Sequence, residues 1–181
     1  MRKVLTALSI IIFAAVSMHA GSITMEVKGS YFCPTEQAFK DIYGGGMMYG
    51  GEISVGIWKN LDVWIGGYYF SQYGELTFTE EETSLQIMPL GGGLKYRITS
   101  GTVSFYGGAG VNYFDYQESN VIGDVKSGAV GFVTKIGAYL EPVEKFVIDI
   151  FVEYSYCRMT PADFTIDIGG IKAGIGIGVR L

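Results

Sequence analysis

The closing stretch Ile168-Gly169-Gly170-Ile171-Lys172-Ala173-Gly174-Ile175-Gly176-Ile177-Gly178-Val179-Arg180-Leu181 decides the fold. Side chains of a strand alternate between two faces with period two. One set here is Ile171, Ala173, Ile175, Ile177, Val179 and Leu181. The other is Gly170, Lys172, Gly174, Gly176, Gly178 and Arg180. One face is wholly apolar and the other is glycine with two cations. A soluble barrel turns its apolar face inward and shows polar residues to water. A transmembrane β-barrel does the reverse, with apolar residues on lipid and polar residues in the lumen.

The opposite end sets the compartment. Arg2 and Lys3 precede an apolar run from Val4 to Val16 in which only Thr6 and Ser9 are polar, and small residues follow at Ala20-Gly21. This is the three-part layout of a secretory signal, and the run is short for a membrane-spanning helix of about 20 residues. Residues 1–20 are therefore expected to be a cleaved signal peptide and residues 21–181 one barrel domain. Taking Arg2 and Lys3 from the 13 basic residues leaves 11 against 18 acidic ones. An acidic mature chain argues against nucleic acid as a partner. Twenty-seven glycines with 14% aromatic residues suit a barrel, where glycine permits curvature and aromatics form interfacial girdles.

Eight alternating runs follow the signal, near 23–32, 47–58, 61–74, 84–98, 103–116, 128–140, 146–158 and 166–181. The expected fold class is all-β, an eight-stranded antiparallel up-and-down transmembrane barrel. Links at Cys33–Gly46, Glu75–Thr83 and Gln117–Ser127 read as long. Those at Lys59-Asn60, Thr99–Thr102 and Glu141–Lys145 read as short, and Met159–Thr165 as intermediate. Outer-membrane barrels have long extracellular loops and short periplasmic turns, so an even strand count puts both termini in the periplasm.

The phase of each run sorts its side chains. Ile53, Val55, Ile57, Ile148, Ile150, Val152, Ile171, Ile175, Ile177 and Val179 are expected on the lipid face. Glu26, Lys28, Glu52, Asp62, Lys95, Arg97, Lys135, Asp149, Glu153, Lys172 and Arg180 are expected in the lumen as a paired polar network. A charge on the lipid face at mid-membrane costs about 2–4 kcal/mol, and such segregation is what that cost produces. Pro89 removes a ladder donor, so a bulge or local break is expected there. Cys33 and Cys157 leave two readings open, one disulfide or two unpaired thiols.

With these segments in hand, the chain resembles the small outer-membrane β-barrel family, the superfamily of the outer-membrane protein A transmembrane domain. The resemblance lies in Pro89-Leu90-Gly91-Gly92-Gly93-Leu94-Lys95-Tyr96-Arg97, in Phe105-Tyr106-Gly107-Gly108-Ala109-Gly110-Val111, and in the closing strand. Ala38–Gly46 also looks like first-loop sequences of such proteins. Members usually end in phenylalanine, whereas this chain ends in Leu181. The resemblance implies a monomer in the outer membrane of a Gram-negative-type bacterium. Its partners would be outer-membrane lipid, lipopolysaccharide and, during insertion, the barrel-assembly machinery.

The chemistry is defined by what is missing. Most enzymes of the family that the chain resembles use a histidine base, which suits proton transfer near neutral pH. The only histidine is His19, inside the expected signal. No catalytic residue, cofactor site or metal site is assigned. Glu80-Glu81-Glu82 with Glu75 reads as a solvated acidic loop, and Gly44–Gly46 and Gly91–Gly93 as curvature rather than phosphate loops. The expected role is a non-enzymatic integral barrel, structural or interacting through surface loops, with a lumen filled by side chains. A narrow porin-like channel is the first alternative, and a periplasmic ligand-binding barrel the second.

Overall fold

The computed structural model describes residues 21–75, 82–120, 123–160 and 165–181. Strands β1 (Ile23–Pro34), β2 (Gly46–Trp58), β3 (Leu61–Glu75), β4 (Glu82–Ser100), β5 (Val103–Asn120), β6 (Gly123–Val143) and β7 (Phe146–Tyr156) each pair antiparallel with the next. Two-residue strands β8 (Arg158–Met159) and β9 (Ile166–Asp167) form a small separate ribbon. Strand β10 (Gly170–Arg180) returns to pair with both β7 and β1, closing an eight-stranded barrel. Closure leaves the barrel no free edge, so each of its eight strands finds both neighbours within the chain.

The turns explain one pole. β2 and β3 are joined by Lys59-Asn60 and β4 and β5 by Gly101-Thr102, and Lys145 closes the turn between β6 and β7. Gly101 has φ +63° and Lys145 φ +68°, the left-handed geometry that tight hairpins need. Both chain ends of the barrel lie at this pole. Ile23 and Leu181 exchange backbone hydrogen bonds of 2.9 and 2.8 Å there.

The other pole departs from the sequence reading in three places. Gln117–Ser127 is not a long loop, because β5 and β6 stay paired up to Asn120 opposite Gly123. Strands of 18 and 21 residues far exceed the 9–11 that a bilayer crossing requires. The link after β1 contains helix α1 (Gln37–Tyr43). Gly44, taken for barrel curvature, is the helix C-cap at φ +64°, and its N–H donates to the Lys40 carbonyl at 3.0 Å. The final run is not one strand from 166 to 181, because it is interrupted between β9 and β10. At Pro89 the β3–β4 ladder lacks its pairs between Gly67–Leu90 and Phe70–Ile87 and then resumes in the same register. The proline breaks the ladder without inserting a bulge.

Candidate functional site

Alternation along β1–β7 and β10 produces an inverted protein. Ile53, Ile150, Val152, Ile171, Ile175, Ile177 and Val179 are exposed on the outer surface, and Val55, Ile57 and Ile148 are partly so. An aromatic ring of Tyr31, Tyr49, Tyr69, Tyr113, Phe132 and Tyr154 lies toward the long-arm pole. Trp58, Tyr96, Phe105 and Phe146 lie toward the short-turn pole. Val27 at 70%, Ile65 at 62% and Ile136 at 66% exposure occupy the apolar band between them.

Nine of the eleven charged residues read as luminal are buried: Glu26, Lys28, Glu52, Asp62, Lys95, Lys135, Asp149, Glu153 and Lys172. Arg97 and Arg180 are only partly buried, at the short-turn rim. Glu52 is the hub. Lys95 Nζ lies 2.6 Å from its Oε1, and Lys135 and Lys28 lie 2.6 and 3.4 Å from its Oε2. Lys28 also reaches Asp149 at 2.8 Å and Glu26 at 3.7 Å. Lys135 continues to Glu153 at 3.4 Å. Lys172 sits 2.7 Å from Glu153 Oε1, an ion pair off the ideal hydrogen-bond angle. Four carboxylates thus face four ammonium groups, and their attraction offsets part of the cost of leaving water.

Aromatic side chains complete the filling. Tyr106 donates to both oxygens of Asp149 at 3.0 Å, and Tyr139 donates to Glu26 Oε2 at 3.0 Å. Lys95 Nζ donates to Tyr139 at 2.5 Å and to Ser54 at 3.0 Å. Lys135 and Lys172 lie 3.3 and 3.4 Å from the ring centres of Trp64 and Tyr68, distances at which a ring face attracts a cation. At the rim, Arg97 pairs with Asp62 at 3.3 Å, and Arg180 pairs with Glu141 and donates to Thr24 at 3.1 Å. Glu141 was not among the luminal residues read from the sequence, because it stands where β6 loses register with β7.

A second storey was missed. Toward the long-arm pole the interior turns apolar, with Phe32, Met48, Phe70, Leu85, Ile87, Phe114, Cys157 and Ile168 packed together. Phe32 meets Phe70 edge-on at 5.3 Å. Phe39 and Tyr43 of α1 join this cluster and cover it. Tyr43 OH bonds Thr83 Oγ1 at 3.2 Å, and burial pushes its phenol well above the ordinary range, keeping it protonated. Cys33 and Cys157 are not bridged. Cys33 is exposed on the outward face of β1, whereas Cys157 is buried inside, so the wall separates two free thiols. Among the described residues no group of three acidic, histidine or cysteine side chains is arranged to hold a metal. Glu80 and Glu81 lie outside the described residues.

A closed eight-stranded antiparallel barrel with this inverted polarity is the fold of the small outer-membrane barrel proteins. Similar solved structures include the outer membrane protein OprG from Pseudomonas aeruginosa, with TM-score 0.73 and 14% identity over 90% of this chain and 97% of that one. Neisserial surface protein A matches with TM-score 0.68 and 13% identity over 89% and 99%. The attachment invasion locus protein Ail of Yersinia pestis matches with TM-score 0.59 and 16% identity over 89% and 99%. No protein-family model and no curated protein sequence matches the chain.

Proposed function

We propose that the chain is an integral outer-membrane barrel without enzymatic activity, delivered by the signal in residues 1–20. The short turns and both termini would face the periplasm, and α1 and the long β5–β6 arm would face the exterior. The observation that carries this reading is the inversion itself. A belt of Val, Ile and Leu with aromatic borders covers the outside, while lysine and glutamate fill the inside. In water that belt is a large apolar liability, whereas in a bilayer it is the required surface. A periplasmic ligand-binding barrel needs the opposite arrangement.

The lumen supports a structural or surface-interaction role over transport. Eight strands enclose a space that side chains can fill. Here a neutral ionic layer occupies one storey and an aromatic layer capped by α1 the other. The test uses the mature protein refolded into vesicles. The expected result is resistance to carbonate extraction, no stable conductance steps in planar bilayers and no hydrolysis of phospholipid. Large steady conductance would place it with channels instead.

A further inference from the structure

Helix α1 does not close the outer mouth completely. Between it and β5 lies a cavity of about 230 Å³. Phe39, Ile42 and Tyr43 of the helix and Tyr116 of β5 supply apolar and aromatic walls, and Glu36 and Glu118 supply two carboxylates. No lysine or arginine lines the space. Neither carboxylate enters an ion pair among the described residues. The deficit is not repaired by a segment left undescribed, because every lysine and arginine after residue 20 falls within the described ones. The lumen below is built on the opposite plan, with an ammonium group beside each of its four central carboxylates.

Glu118 is also held in place. Tyr116 OH donates to its Oε2 at 2.5 Å and Thr83 Oγ1 to its Oε1 at 3.4 Å, with Tyr43 OH behind Thr83. Donors thus reach both oxygens and fix the carboxylate in position. Aromatic faces with a fixed carboxylate are the surroundings in which organic ammonium ions are recognised: the rings attract the diffuse charge and the carboxylate neutralises it. We propose that this cavity binds a small organic ammonium ion, a methylated amine with a compact apolar body. The volume falls below the ~300 Å³ that drug-sized ligands need, which sets the size. An amine carrying its own phosphate is disfavoured, because the phosphate would meet Glu36 and Glu118. The site requires the folded barrel and not its place in a bilayer.

The test titrates mature protein, refolded in a choline-free sugar detergent, with choline, with its neutral isostere 3,3-dimethylbutan-1-ol and with phosphocholine, read by calorimetry or by NMR shifts of labelled Tyr116. Choline is expected to saturate, with the isostere and phosphocholine each weaker by roughly tenfold or more. Glu118→Gln is expected to lower choline affinity by a similar factor and to leave the isostere unchanged. Ile42→Trp, which fills the cavity, is expected to remove both. Absence of saturable choline binding, or equal binding of choline and either comparison ligand by the unaltered protein, overturns the proposal even if the variants fail to fold. Unchanged choline affinity in folded Glu118→Gln overturns it as well.

Discussion

Glu52→Gln is the most informative single change in the lumen. The Glu52 side chain is fully buried and is shared by three lysines. Replacing its carboxylate by an amide keeps the volume but leaves four buried ammonium groups facing three carboxylates. Removing one partner of a buried pair costs about 3–5 kcal/mol, because the charge left behind is uncompensated. With a denaturant slope of about 2 kcal/mol per molar in urea, the unfolding midpoint is expected to fall by roughly 1.5–2.5 M. The assay is equilibrium unfolding in vesicles, followed by tryptophan emission and strand circular dichroism. A second change separates charge from packing. Lys95 has Glu52 at 2.6 Å, so Glu52→Gln with Lys95→Met restores neutrality and is expected to recover about 1 kcal/mol or more. A loss below about 1 kcal/mol in the single variant, or no recovery in the double one, would refute the account of the lumen as one neutral, mutually paired layer.

Other consequences are as direct. Ile175→Lys, on the outer face, is expected to destabilise by about 2–4 kcal/mol in vesicles, measured by the same unfolding assay. Cys33 is expected to react with maleimide in the folded protein, while Cys157, whose thiol burial raises to about 11, is labelled only after unfolding; mass spectrometry counts the adducts. Gly107→Ala is expected to be well tolerated, since nothing lies within 4 Å of the added carbon. Gly93→Ala would set its carbon 2.1 Å from the Ala109 carbonyl oxygen and is expected to lower the midpoint clearly.

Legibility in the sequence followed polarity contrast. On β10 an unbroken Ile/Gly alternation fixes the phase, and Lys172 and Arg180 fall inward with it. The same contrast separates Glu52 from Ile53 and Asp149 from Ile150. It vanishes in the upper storey, where Ile87 points in and Met88 out, both apolar, and where Tyr113 and Phe114 divide the same way. There phase alone does not announce a second core. Toward the tip of the β5–β6 arm both faces carry polar residues, so backbone pairing continues with no hydrophobic rhythm to betray it. Helix α1, at seven residues, is too short for a helical period to stand out. Phe70 and Leu85, which share one cluster with its Phe39 and Tyr43, are distant in sequence and stand on β3 and β4. The hub role of Glu52 is likewise a property of four strands at once, since Glu52 stands on β2 and Lys28, Lys95 and Lys135 come from β1, β4 and β6.

The inversion of the barrel is tested most directly by scanning β10 with a spin label in lipid vesicles, one residue at a time from Ile171 to Val179, and comparing collision rates with oxygen and with a water-soluble nickel chelate. Labels at 171, 173, 175, 177 and 179 are expected to collide with oxygen dissolved in lipid and to be shielded from nickel. Labels at 172, 174, 176 and 178 are expected to be immobilised and shielded from lipid. Opposite phase, or access to nickel along the whole strand, would contradict a membrane-spanning barrel with its charges inside.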